Sequence, residues 1–228
     1  MTFADDNARQ PPQRYYGKYA GLVTDNAAPS SGSHLGQIKI QVPGILEETP
    51  DGSSHQPIEV LAAPAFLPGF FFVPEIGAPV WAEFVAGDIN YPIWTGVWYP
   101  DDKTPKAIDA GKPNDAGSAP TLDQKVIRTK SGQVIQLDDT SGSEQLVVKD
   151  EKNGNALTFS PSGIVLEDAK NKNKITFDKN GITFEDANSN KITFDSSGVT
   201  VQVSESNKIV LKVGPTTVTI DRTKMDVK

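Results

Sequence analysis

The stretch Asn173-Lys-Ile-Thr-Phe-Asp-Lys-Asn-Gly-Ile-Thr-Phe184 decides the fold, because it returns almost unchanged as Asn190-Lys-Ile-Thr-Phe-Asp-Ser-Ser-Gly-Val-Thr-Val201. A third copy begins at Asn207, so the copies start 17 residues apart. An earlier copy begins at Asn155 after an 18-residue step, and a more diverged one begins at Ser131. Each unit holds two short runs of alternating apolar and polar residues, which indicates a strand about every eight residues.

This short period limits the possible folds. About eight residues make a strand and a corner, and we expect no room for a helix or a return hairpin. One face of each strand is apolar and only two or three side chains wide, so a single chain would have a thin core. We therefore predict three chains wound about one axis, each giving one strand per layer, with Gly163, Gly181 and Gly198 at the corners. A monomeric two-sided solenoid is the alternative.

The apolar positions of the repeats form the predicted needle core. They are Phe159, Ile175, Phe177, Ile182, Phe184, Ile192, Phe194, Val201 and Leu211.

The sequence before residue 121 has a different composition. It holds 14 acidic and 7 basic residues, 15 of the 17 prolines and 14 of the 18 aromatic residues, whereas the rest has 15 residues of each charge. Its five short apolar segments, punctuated by Gly and Pro, predict a closed β-barrel of the OB type. We expect an arm at 1–14, an OB-fold domain at 15–98, a linker at 99–121 and needle repeats at 122–228. The predicted barrel strands are Tyr16–Thr24, Leu35–Val42, Ile58–Phe66, Pro79–Ala86 and Tyr91–Trp98.

Several classes of protein are excluded or disfavoured. The chain has no cysteine, and therefore no disulfide, thiolate zinc site or iron–sulfur cluster. It has no run of 18 apolar residues, which argues against a membrane-spanning helix. Its start has acidic residues where a signal peptide needs basic ones, so we expect no export by the ordinary secretory route. The excess of acid in the first part argues against nucleic-acid binding.

No pattern predicts catalysis, a metal site or a cofactor. The repeat acids recur with the period, as corner and outward positions would: Glu167, Asp168, Asp178, Glu185, Asp186 and Asp195. The two histidines, His34 and His55, lie in Ser/Gly-rich segments, which favours surface loops over a metal pair. We expect Gly69-Phe-Phe-Phe72 to pack in the barrel core or a trimer contact, and less so to bind a ligand.

Four stretches carry a resemblance to a known family: Tyr15–Asn26, Leu35–Gly44, Gly69–Phe84 and Gly87–Gly96. They resemble the OB-fold domain of contractile-tail spike proteins, which include phage baseplate assembly protein V and the VgrG spike of type VI secretion. The repeats resemble the trimeric β-helix needle of that family in kind. The resemblance therefore implies an all-β homotrimer, an N-terminal OB-fold barrel followed by an intertwined triple-stranded β-helix.

The resemblance also implies a function. We expect a structural central spike, not an enzyme, that docks under a baseplate hub and punctures a target envelope on sheath contraction, with transient membrane contact. Because no glycosidase domain or hub-forming region is present, we expect the spike alone. It would be made in the host cytoplasm and reside in a virion or extracellular contractile particle. The alternative is an OB-fold module that binds a glycan or oligonucleotide on a trimeric stalk.

The final residues indicate what the C-terminal tip of the predicted needle can bind. The segment from Val218 onward has no histidine or cysteine, so three copies could not build an imidazole cage for a transition metal. We predict that Met225, Asp226, Val227 and Lys228 form a docking platform for a small conical PAAR-type protein. A frayed C-terminus without a partner is the alternative.

Overall fold

Strands dominate both parts of the chain. The computed structural model divides into two compact units, Met1–Lys103 and Thr104–Lys228. Among the described residues, every regular element is a β-strand except a short 3₁₀ turn at Val85–Gly87, which confirms the predicted all-β class. Within the described part of the chain, no helix is long and apolar enough to cross a bilayer. The structure describes residues 13–27, 35–48, 56–99 and 119–227.

Most of the predicted arm and linker lies outside these ranges, as do both histidines. At the described end of the arm, Arg14 contacts Asp88 at 3.4 Å and the backbone N–H of Tyr15 donates to the Gly87 carbonyl. The chain is therefore tied to the barrel from residue 14 onward.

Five strands of the first unit close into a barrel in the order β1-β2-β5-β7-β6, with β6 pairing back to β1. Neighbouring strands are antiparallel, except that β5 and β7 are parallel. Each lies inside one of the five predicted segments, apart from the last residue of β1, and the predicted OB-type barrel is confirmed. The strands are β1 (Tyr19–Asp25), β2 (Ile38–Gln41), β5 (Glu59–Pro64), β6 (Pro79–Phe84) and β7 (Pro92–Val97).

A small additional hairpin pairs β3 (Glu47–Glu48) with β4 (Gln56–Pro57). Strands of two residues have no detectable period, so the sequence could not predict them.

The barrel core follows from the alternation along the strands. In β2, Ile38 and Ile40 are buried and Lys39 points out. Trp94 closes the core, and its indole N–H donates to the carbonyl of Gly36 at 3.0 Å. Gly36 has φ +84°, and a Cβ at that position would lie 2.6 Å from the ring of Phe66. Glycine therefore lets β2 approach the Trp94 and Phe66 rings, which meet edge to face at 5.1 Å.

The second unit contains a nine-stranded sheet in which each strand from β8 to β16 pairs with the next along the chain. All pairs are antiparallel. The strands are β8 (Gln124–Arg128), β9 (Gln133–Asp138), β10 (Gln145–Asp150), β11 (Asn155–Ser160), β12 (Gly163–Asp168), β13 (Asn173–Asp178), β14 (Gly181–Glu185), β15 (Lys191–Asp195) and β16 (Gly198–Gln202).

Return hairpins join these strands, so our expectation that the repeat leaves no room for one is wrong. The turns after β11, β13 and β15 have only two residues, so strand and turn together fit the eight-residue period. Gly163, Gly181 and Gly198 leave these turns with φ of 135°, 137° and 129°, a conformation open to glycine. These glycines therefore begin strands of an antiparallel meander and do not mark the corners of a wound coil. We expected each chain to give one strand per layer, but successive strands of one chain pair with each other instead.

The last three strands form a separate antiparallel sheet in the order β17-β18-β19. They are β17 (Ile209–Val213), β18 (Thr216–Ile220) and β19 (Met225–Val227).

Candidate functional site

One face of the nine-stranded sheet carries two rows of apolar side chains along its length, interrupted in β8, where Lys125 lies opposite Leu137. Residues opposite each other in an antiparallel pair share a face. Ile175 lies opposite Phe184 on one side and Leu166 on the other, and Phe177 lies opposite Ile182 and Ile164. The same registers continue through all nine strands. This surface, here called the apolar face, consists of Ile127, Ile135, Leu137, Leu146, Val148, Leu157, Phe159, Ile164, Leu166, Ile175, Phe177, Ile182, Phe184, Ile192, Phe194, Val199 and Val201.

The apolar face is open to solvent in a single chain. Phe177 and Phe184 are each 40% exposed, Phe194 is 42% exposed and Val199 is 63% exposed. A continuous apolar surface over nine strands far exceeds the scattered exposed residues of an ordinary monomer, and large apolar patches mark interaction surfaces. The apolar face is therefore the principal candidate site.

The opposite face of the same sheet is polar over its central strands. Thr176 and Thr193 flank Thr183 there, and β-branched threonine suits an exposed β surface. Glu185 forms an ion pair with Lys191 at 3.0 Å on this face. The central strands therefore have one side suited to water and one suited to burial, whereas on β9 and β10 the side opposite the apolar face is itself buried at Val134, Gln136 and Val147.

The structure brings the predicted needle core together with one exception. Eight of its nine residues lie on the apolar face, and Leu211 lies on β17 of the separate sheet. There Leu211 pairs with Val218, and Ile209 pairs with Ile220, so the second sheet also has an apolar side.

Sequence reasoning missed the beginning of the apolar face in β8 to β10. Ile127, Ile135 and Leu137 belong to it, followed by Leu146 and Val148. The diverged copy that begins at Ser131 covers β9 but supplied no predicted core residue, and the motif does not extend to β8 or β10. In β9, Ile135 and Leu137 alternate with Val134, Gln136 and Asp138. This period of two was the signal that could have placed Ile135 and Leu137 on one face.

The aspartates among the repeat acids cap turns, whereas Glu167 and Glu185 lie within strands β12 and β14. Asp168 accepts a hydrogen bond from the amide of Asn171 at 2.7 Å, and Asp186 accepts one from Asn190 at 2.8 Å. These hydrogen bonds hold the pKa of each carboxyl below its usual range. The Asp195 carboxylate accepts from the Ser197 hydroxyl and backbone N–H, which lowers its pKa as well. A carboxyl with a depressed pKa is poorly matched to general acid–base work near neutral pH, so these groups serve as turn caps.

The aromatic segment of the barrel is exposed. Phe70, Phe71 and Phe72 lie between β5 and β6 and are 52%, 59% and 54% exposed. Phe71 contacts Phe66 with ring centroids 5.3 Å apart. These rings therefore lie on the barrel surface and not in its core, which leaves a trimer contact as the prediction for this segment.

The chain end lies in β19, the outer strand of the last sheet. Met225 is 66% exposed, and Asp226 is paired with Lys224 at 2.5 Å. Val227 pairs with Val218 through the backbone, and Lys228 lies outside the described residues. Among the residues described, no cluster of three or more His, Cys, Asp or Glu side chains could hold a metal ion.

Comparison with known proteins finds a family whose OB domain is similar to the barrel. Residues 19–99 match the family model described as the type VI secretion system/phage-baseplate injector OB domain. The match spans all five barrel strands and stops before β8. A search among curated proteins finds no significant match. The matched family is a structural injector domain and not an enzyme family, which supports a structural role related to a baseplate. Residues 19–99 are therefore similar to the OB domain of type VI secretion and phage-baseplate injectors.

Proposed function

We propose that this chain is the central spike of a contractile injector and works as a homotrimer whose three apolar faces are buried against one another around a common axis. The observation that carries the proposal is the apolar face itself, which is continuous over nine strands and open in the single chain. Burying apolar surface stabilises association by about 25 cal/mol per Å².

Three copies suit the geometry of this face. The apolar face is only two side chains wide, which fits the narrow interior enclosed by three walls. In this arrangement each chain supplies one wall, and its polar face points to water. The similarity of the barrel to an injector OB domain supports a role in an injector.

The mechanism is mechanical. Neighbouring strands in a sheet are about 4.8 Å apart along the hydrogen-bond direction, so nine strands extend roughly 40 Å. Hydrogen bonds between successive strands run along this direction and form a continuous ladder. When a sheath contracts, such a ladder carries the axial load to the tip and drives it through the target envelope, with transient membrane contact.

The barrel and the last sheet take different partners. A hub protein docks at the barrel, where the exposed Phe70, Phe71 and Phe72 offer an apolar surface. A conical PAAR-type protein docks at β19, where the strand edge facing away from β18 is open and Met225 is exposed. Open strand edges need a cover, because they otherwise pair with other chains.

Electron microscopy of contractile particles from the source culture tests this function. Gold-labelled antibodies against the chain should bind the distal end of the baseplate, and deletion of its gene should leave particles that cannot inject. Labelling along the sheath, or full injection without the chain, would contradict the proposal. For the alternative, a glycan- or oligonucleotide-binding module, the expected result is measurable affinity for those ligands, which a spike does not require.

A further inference from the structure

Two consecutive strands of the second unit have unpaired edges. Every strand from β8 to β15 pairs with the strand that follows it, but β16 pairs only with β15, and β17 pairs only with β18. Exposed edges of this kind are template surfaces for another strand. The interruption therefore needs both a cause and a partner.

The interruption has its cause in the segment that connects β16 to β17. The matching segment between β14 and β15 shows what a closed turn requires. Between β14 and β15, the Asp186 carboxylate accepts hydrogen bonds from the backbone N–H groups of Asn188 and Asn190 at 2.8 and 2.9 Å. The Asp186 N–H donates to the Asn190 carbonyl at 3.1 Å, which closes the hairpin. Seventeen residues later in the repeat, Val203 stands at the position of Asp186 and has no carboxylate.

The segment after β16 is held in another way. The Ser204 N–H and the Asn207 side-chain amide both donate to the Asn190 side-chain oxygen at 3.1 Å. The chain is thereby fastened to the preceding turn, and β17 does not return along β16. Each of the two strands keeps a free edge in its own chain.

The repeat nevertheless defines how the two edges fit. Within one chain, Ile182 lies opposite Phe194 and Phe184 lies opposite Ile192. A shift of both strands by the 17-residue step places Val199 opposite Leu211 and Val201 opposite Ile209. This register would continue the apolar face directly onto the apolar side of the β17-β18-β19 sheet.

We propose that β17 of one copy pairs with β16 of a neighbouring copy in this register. The inference rests on the proposed homotrimer and adds to it a specific strand exchange. In a three-fold ring each copy gives its β17 to the next and receives one, so all three pairings are equivalent and the ring closes. Residues 203–208 then form the crossing from one wall to the next.

A disulfide between the exchanged strands tests the proposal, and the absence of cysteine from the chain gives a clean background. The shifted register places Thr200 opposite Val210, so the variant is Thr200→Cys with Val210→Cys. The matched control is Thr193→Cys with Thr200→Cys, because these residues are partners within one chain. Directly opposed strand residues lie within the Cα separation that a disulfide needs. Both full-length variants are oxidised at low concentration and run on a denaturing gel without reductant, after light scattering of the native samples.

We expect the Thr200/Val210 variant to give linked dimers and trimers of chains, and the control to give single chains with a closed disulfide. A native trimer in which the Thr200/Val210 variant remains as single chains, with closed or free thiols, would overturn the strand exchange alone. A native monomer would overturn both the exchange and the homotrimer. The Thr200→Cys single variant should give no linked trimers.

Discussion

Glycine and aspartate carry the tight turns of the second unit at the scale of single residues. Gly181 shows why the glycine is needed. Its φ is +137°, and an ideal Cβ would lie 1.9 Å from the carbonyl oxygen of Phe194 on the next strand. Any side chain at this position meets both an unfavourable backbone conformation and the neighbouring backbone.

We predict that Gly181→Ala destabilises the protein strongly. The backbone strain alone costs about 1–3 kcal/mol, and β14 or β15 must also move to relieve the clash. Gly142→Ala is the matched control, because Gly142 has a positive φ of 79° but no heavy atom near its Cβ position. Thermal unfolding of both variants checks this, and equal losses in the two would contradict the close approach at Gly181.

Because aspartates cap these turns, we expect the stability of the fold to depend on pH in the acidic range. The pKa of Asp186 is lowered in the folded state, chiefly by the hydrogen bond from the Asn190 side chain. Its contribution is therefore complete above the unfolded-state pKa of about 3.9 and is lost as the pH falls through the lower folded-state value. We expect Asp186→Asn to unfold at a lower temperature than the parent at neutral pH. The gap should narrow as the buffer is acidified to about pH 3. A gap that stays constant over this range would rule out the carboxylate as its source.

At the scale of elements, the period of the sequence predicted where the strands lie but not how they are connected. The alternation of the barrel segments located all five barrel strands, and the repeat placed eight of nine core residues on one face. The hairpins were missed because the 17-residue repeat was interpreted as strands and corners, although Lys179-Asn180 and Ser196-Ser197 are sufficient two-residue turns. The sequence left Phe70, Phe71 and Phe72 open between the barrel core and a trimer contact, since an apolar run does not itself tell core from surface.

The two faces of the nine-stranded sheet predict opposite effects of the same substitution. Phe184→Asp places a carboxylate on the apolar face, where three copies would bury three charges at several kcal/mol each unless they are protonated. We expect loss of the trimer. Thr183→Asp is the matched control one residue away on the polar face, and it should leave the trimer intact. Size-exclusion chromatography with light scattering measures both; a heat-resistant trimer of Phe184→Asp would contradict the assignment of the apolar face.

At the scale of the whole molecule, the two ends of the chain are expected to have separate partners. β19 is the last described strand, and it can be removed without cutting β18 if the chain ends at Asp221. We predict that this truncated chain no longer retains the PAAR-type protein encoded nearby in co-expression, while the full chain does. Phe71→Ala, at the barrel, is the control and should leave that retention unchanged. Equal retention by the full and truncated chains, or about one iron per trimer by elemental analysis, would contradict the predicted tip.

The central claim is that this chain functions as three copies joined through their apolar faces. The most direct measurement is the mass of the purified full-length chain by multi-angle light scattering at micromolar concentration. The account predicts a single species of about three times the chain mass of 24.5 kDa. A species with the mass of one chain would contradict it, because the apolar face would then remain open to water.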